Sequence, residues 1–393
     1  MTTSRNLHLS AVVCSFLGVG LVFGFQPPLI ALVLTRTGAS SFAVGAVTSV
    51  STIAVIIFGT VYPRVIARIG LKRSVLAGTA VAVIILLLMP ALETVPAWTA
   101  LRFINGCALG LAWIASEVWL NALATDESRG RVMAFYAVAF AAGVMAGPAL
   151  LRFTGTAGWL PFMVGAVTLV VTAVPLLFID DPPATADTYH RVRLVHLMRT
   201  APIIMLAALI AGLVESADVS LLPVYGLRQG LDERTALLLV TVFLAGNILL
   251  QLPIGYLADR LGRRLVLGLC AAVSAIGPVL LAVSLRTPWA LWPLLLIWGG
   301  MMYAFYTQGI AMLGETFHPR ELADANAAFV MIYCAGGVIG PTVGGLAMDL
   351  WNPNSLIVFL SSATSLLVVA LLLESRLIAR LRNSAGLGNS ENV

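Results

Sequence analysis

Two carboxyl groups stand three residues apart inside an apolar run, in the stretch Glu215-Ser-Ala-Asp218. On a helix that spacing puts both on one face. Two like charges in a low-dielectric site cannot both ionise cheaply, so one should hold its proton near neutral pH. A carboxyl that loads and releases a proton there is what proton coupling requires. A third charge, Arg102, lies in another apolar run. A guanidinium in that setting is costly and faces a partner or a wet cavity, unless it snorkels to the nearby interface. One of the two carboxylates could instead be its structural partner. The sequence has no phosphate-cradling G-x-x-x-x-G-K-[ST] loop and no G-x-S-x-G nucleophile turn, so neither ATP hydrolysis nor acyl transfer is expected. No two of Cys14, Cys107, Cys270 and Cys334 are close in sequence. They read as small buried hydrophobes, and no metal or cofactor is expected.

The elements that must hold these groups follow from composition. Of 393 residues, 60% are hydrophobic and 10% charged, against about 25% charged in a soluble domain. Twelve apolar spans can be placed, at roughly 9–34, 42–63, 74–92, 97–122, 131–151, 160–179, 201–224, 235–257, 265–285, 289–314, 325–348 and 354–374, each long enough to cross a bilayer. The first is too long for a signal h-region and should stay as a spanning helix. With the N-terminus inside, 17 Lys and Arg fall in cytoplasmic segments and 5 in outer loops. That bias supports an even number of spans, with both termini cytoplasmic. The net charge of +5 is scattered over short loops, which gives no nucleic-acid footprint.

The chain is also doubled. Gly143-Val-Met-Ala-Gly147-Pro148 returns as Gly336-Gly-Val-Ile-Gly340-Pro341, 193 residues later, and Gly70-Leu-Lys72-Arg73 is echoed by Gly262-Arg263-Arg264, 192 later. The polar, proline-bearing stretch 180–200 reads as a cytoplasmic linker between two six-helix bundles, 1–179 and 201–393. Doubled membrane units place a binding site at the seam and expose it to each side in turn.

The stretch Gly255-Tyr-Leu-Ala-Asp259-Arg260-Leu-Gly262-Arg263-Arg264 resembles the GxLaDrxGrr loop signature of the major facilitator superfamily. With twelve spans and a central linker, the resemblance covers essentially the whole chain. It implies an all-α membrane fold of two pseudo-symmetric six-helix bundles that work by alternating access. It also implies a cytoplasmic latch made by Asp259, Arg260 and Arg264. The first-half copy has Ala67 where the aspartate belongs, so the two loops should contribute unequally. Arg102-Phe-Ile-Asn105-Gly106 resembles the RxxxG motif linked to proton coupling in that superfamily. The Gly143–Pro148 segment resembles its GxxxGP antiporter signature, although the copy at Gly336, Gly340 and Pro341 weakens that diagnosis and fits plain helix packing equally well. Glu117-Val-Trp-Leu-Asn121, followed by Arg129-Gly-Arg131, is similar to the YcaD-like bacterial subgroup. Glu117 reads either as a further coupling carboxylate or as a partner for a loop arginine.

In the superfamily, spans 1, 4, 7 and 10 line the cavity. The resemblance therefore implies a lining that includes Gln26, Asn105, Trp113, Trp298, Tyr303, Tyr306 and Gln308. Asp349, near the outer end of span 11, reads as solvated. The expected function is proton-coupled movement of a small organic solute across a bacterial inner membrane by a monomer, with Glu215 and Asp218 carrying protons and Arg102 controlling them. Export by antiport is the first expectation. An uptake symporter and a non-transporting sensor or scaffold of the same fold are the alternatives.

Overall fold

The computed structural model describes residues 2–123, 129–180 and 194–387. Among them are twelve helices long and apolar enough to span a membrane. In the first half these are α1 (Thr2–Arg36), α2 (Ser41–Phe58), α4 (Leu71–Leu88), α5 (Val95–Leu123), α6 (Arg129–Thr154) and α7 (Leu160–Ala173, continued by a 3-10 turn to Phe178). In the second half they are α9 (Pro202–Arg228), α10 (Glu233–Leu261), α11 (Arg263–Ser284), α12 (Pro288–Thr316), α13 (Pro319–Leu350) and α14 (Ser355–Leu387). Two short helices, α3 (Tyr62–Ile69) and α8 (Leu194–Thr200), precede α4 and α9. All twelve expected spans are present. Most of the expected linker, residues 181–193, lies outside the described residues, as do Arg191 and Arg193.

The doubling is visible in the backbone. Ser40 caps α2 by accepting from the Ala43 N–H at 3.1 Å, and Asp232, 192 positions later, caps α10 by accepting from the Thr235 N–H at 3.2 Å. Each cap satisfies one donor that a helix start leaves open. The Thr235 hydroxyl and backbone N–H also hold the Asp232 carboxyl below its ordinary value. Gly70 and Gly262 both turn the chain with positive φ, 88° and 91°, a conformation that side chains with a Cβ resist.

The same pairs of helices meet in each half: α1 with α6 and α9 with α13, α4 with α5 and α11 with α12, α4 with α7 and α11 with α14. The GxxxGP segments form the first of these contacts. A Cβ on Gly143 or Gly147 would collide with the backbone of α1 at Leu17, Leu21 and Phe25, and one on Gly336 or Gly340 with the α9 backbone at Leu209 and Leu213. The repeated motif is therefore a backbone-to-backbone seam. Lipid supplies no hydrophobic drive between helices, so such close approach is a main source of packing energy.

The halves meet symmetrically too, α2 against α13 and α6 against α10, with α1 touching α9 between them. Gly45 of α2 sits on the Pro341 carbonyl, and Gly345 of α13 on the Ser41 carbonyl.

These contacts make a direct prediction. Replacing Gly340 with valine overfills the α9–α13 seam, and overpacking of this kind costs roughly 1–3 kcal/mol or more. A Cβ on Gly314 would meet nothing. The detergent-solubilised Gly340→Val protein should melt several degrees lower than wild type, while Gly314→Ala should not fall. Equal melting of all three would refute the seam.

Candidate functional site

At the seam between the halves lies a cavity of about 200 Å³, lined by α1, α2, α5, α6, α9 and α13. Its polar groups are divided between the halves. On the first-half wall, Arg102 is only 5% exposed and donates to Gln26 Oε1 and, at 3.3 Å, to the Thr48 carbonyl. Asn105 Nδ2 donates to the same Gln26 oxygen at 2.7 Å. Arg102 Nε, Gln26 Nε2 and Asn105 Oδ1 are buried and have no hydrogen-bond partner among the described residues. On the second-half wall, Glu215 accepts from the Tyr333 hydroxyl at 2.5 Å.

Proline shapes this lining. A proline lacks the N–H that would bond the carbonyl four residues earlier. Pro27, Pro148, Pro223 and Pro341 lie inside α1, α6, α9 and α13. The residues four positions before them are Phe23, Val144, Val219 and Gly337, and all four line the cavity. Interrupted backbone is tolerated within a membrane where it borders such a cavity.

Aromatic rings complete the first-half wall. Phe23 meets Trp113 edge-on at 5.4 Å, and Trp113 stacks on Phe140 at 5.4 Å. Tyr333 faces them from α13, with Tyr306 packed behind it at 5.0 Å.

Several expected site residues assemble here and several do not. Gln26, Arg102, Asn105, Trp113 and Glu215 line the cavity. Asp218 does not: it is fully buried, and both its oxygens lack a hydrogen-bond partner among the described residues. Three residues of helix amount to about 300° of rotation, so the pair is only about 60° apart on the helix. That offset is enough to separate a cavity-facing group from one packed inside the bundle. Arg102 forms no ion pair with either carboxylate among the described residues; its partners are an amide and a carbonyl.

The expectation for span 10 is corrected. Trp298, Tyr303, Tyr306 and Gln308 on α12 do not line the cavity. Trp298 is fully buried against Phe243 of α10 at 5.0 Å. Gln308 accepts from Arg263 at 3.4 Å. Tyr303 is buried beneath the surface near Glu215 and Asp218, without a good hydrogen bond to either. The Gly299 and Gly300 face of α12 is pressed onto α10, and the wall of the second half is formed by α9 and α13. Tyr333 and Phe140 were therefore missed. A signal existed, because each lies three residues before the first glycine of its GxxxGP copy, on the same helix face. Glu117 is half-buried and is not among the residues lining the cavity, and Asn121 Nδ2 donates to its backbone carbonyl at 3.1 Å. The side chains of Arg129 and Arg131 lie outside the described residues.

The loop latch also differs from expectation. Arg263, and neither Arg260 nor Arg264, is the partner of Asp259, at 2.8 Å. Arg263 also bridges to Glu315 of α12 at 2.7 Å. Arg264 reaches Glu374 of α14 at 3.2 Å, and Arg260 stacks over the Tyr256 ring at 4.3 Å. All these contacts stay inside the second half. In the first-half copy, Lys72 donates to the carbonyls of Leu177 and Ile179 at the end of α7, at 3.0 and 2.7 Å.

The halves are tied at the opposite end, where Arg36 lies. Asp349 of α13 accepts the N–H groups of Ser41 at 2.9 Å and Phe42 at 2.7 Å, which open α2. It also pairs with Arg228 at 3.3 Å. Asp349 is exposed, as expected, and is in addition a bound cap. Glu233, which opens α10, accepts from Thr156 at 2.7 Å and pairs with Arg36 at 3.4 Å. The half-exposed Arg36 pair contributes at most about 1 kcal/mol. A carboxylate on a helix start with two unpaired N–H groups is the stronger tie.

The sequence model of the major facilitator superfamily matches residues 9–240 and 229–388. The chain belongs to that superfamily. It is similar to the uncharacterized MFS-type transporter YfkF of Bacillus subtilis, at 24% identity over 90% of this chain and 92% of the relative. It is likewise similar to the uncharacterized MFS-type transporter YcaD of Salmonella dublin, at 26% over 92% and 94%. The nucleoside transporter NupG has the same fold, with a TM-score of 0.79 over 94% of this chain and 98% of that one, at 15% identity; its D323A variant gives 0.81 over 93% and 99%, also at 15%.

The Asp349 tie between the halves can be tested directly. Spin labels at Thr37 and Trp351 would report the separation of the halves at this end. Asp349→Asn should increase the long-distance population. Glu374→Gln, which disturbs a pair inside one half, should not. An unchanged distance in Asp349→Asn would show that the tie does not hold the gate.

Proposed function

We propose that the protein is a proton-coupled secondary transporter that carries a small organic solute across the bacterial inner membrane, with export in exchange for protons as the first direction to test. The observation that carries this reading is the α9 pair, with Glu215 at the central cavity and Asp218 fully buried beside it. An ionised carboxylate with neither exposure nor partners is an uncompensated charge, whereas a protonated one costs far less to bury. Rocking of the halves that rewets this helix would let the proton leave, which links proton release to solute access.

The positive-inside bias supports a cytoplasmic location for both termini. The Arg36 end is then the outer face, and its ties describe the inward-facing state. In the outward-facing state the Asp259–Arg263 loop takes up contacts with the first half and acts as the cytoplasmic latch.

The test is proton movement in energised everted vesicles, followed with a pH-sensitive dye while organic cations, amphiphiles and metabolites are added singly. A compound that collapses the gradient with wild type should act at least tenfold more weakly with Glu215→Gln or Asp218→Asn. Solute uptake that acidifies the interior of right-side-out vesicles would establish symport instead. Equal proton movement in wild type and in the double variant would remove coupling from this pair.

A further inference from the structure

The polar groups at the seam do not match a purely cationic or neutral solute. The first-half wall includes a guanidinium with no carboxylate partner among the described residues, and within it Arg102 Nε and the neighbouring Gln26 Nε2 are buried donors with no hydrogen-bond partner there. A buried cation without a counter-charge is expensive, and donors in fixed fork geometry suit a carboxylate or similar oxyanion. The second-half wall offers the opposite character. There Glu215 is oriented by Tyr333, and Val219 and Gly337 carry carbonyls whose helical donors prolines have removed. Such acceptors suit an ammonium group. Between the two lie the Phe23, Trp113 and Phe140 rings, which favour a flat apolar body. At about 200 Å³ the space is below the roughly 300–1,000 Å³ of a drug-sized site.

We infer that this cavity recognises a small zwitterionic solute with an aromatic or planar body, its anionic end on Arg102 and Gln26 and its cationic end at Glu215. One charge of the solute then engages each half. The occupied site neutralises both walls, and occupancy couples the two bundles through the solute itself. This inference names the substrate class of the transporter proposed above and rests on that reading only for transport; the binding it asserts needs no proton gradient.

The experiment measures binding to the purified full chain in detergent with three matched probes: phenylalanine, phenethylamine and 3-phenylpropionate. Phenylalanine should bind at least tenfold tighter than either singly charged probe. Glu215→Gln should remove its advantage over 3-phenylpropionate. Arg102→Gln should remove its advantage over phenethylamine, while Arg102→Lys, which keeps the charge but not the fork, should retain part of it and guards against a folding defect. Binding with no preference for the zwitterion, or no binding of any probe, would overturn the assignment. Zwitterion binding without proton movement in vesicles would leave this inference standing and remove the coupling proposal. Proton movement driven only by monocations would do the reverse.

Discussion

Close backbone approach is the constraint on which the rest of this structure depends. In lipid, apolar side chains gain little by leaving one helix's surroundings for another's, so helices adhere through packing and polar contacts. Gly143 and Gly147 bring α6 onto α1, and Gly336 and Gly340 bring α13 onto α9. The prolines that follow each pair interrupt the ladder in both halves, so one motif both clamps the seam and leaves carbonyls beside the cavity without their helical donors. Glycines also bring α12 onto α10 at Gly299 and Gly300, as Gly106 brings α5 onto α2.

The symmetry of this scaffold contrasts with the asymmetry of its polar groups. Phe140 and Tyr333 occupy equivalent positions 193 residues apart, yet only the second carries a hydroxyl, and that hydroxyl orients Glu215. Arg102 has leucine, Leu295, at the corresponding position of the second half. The first half thus faces the seam with positive charge and aromatic surface, and the second with a carboxylate. The two ends of the molecule differ as well. At the Arg36 end, carboxylates of one half cap or brace elements of the other. At the opposite end, every ion pair among the described residues stays within the second half. A capped helix start releases two N–H groups to water when it parts, at modest cost. Ties of this kind hold one state without locking it.

Much was legible in the chain alone. Long apolar runs, the 17-to-5 distribution of cations and the echoed motifs specify twelve spans in two related halves, because each span must satisfy its own backbone in lipid and so declares itself locally. Arg102 and Glu215, which both line the cavity, stood out as candidates for the same reason: a charge in such a run needs a use. The capping role of Asp349 was not legible, because the helix start it caps comes from the other half, over 300 residues away in sequence. Arg263 was passed over because three arginines crowd one loop, and only the positions of α12 and α14 sort their partners.

The sequence by itself determined the membrane class, the doubling, the span count and the presence of buried charge, all of them set by local composition and period. Only the tertiary structure decided which face of each helix borders the cavity. α9 is apolar almost all round and α12 has polar and aromatic residues on several faces, so periodicity carries no rotational information there. The rotation is fixed by where glycines on neighbouring helices admit a backbone. That contact turned Glu215 to the cavity, kept Asp218 in the bundle, and gave the wall to Tyr333 instead of Tyr306.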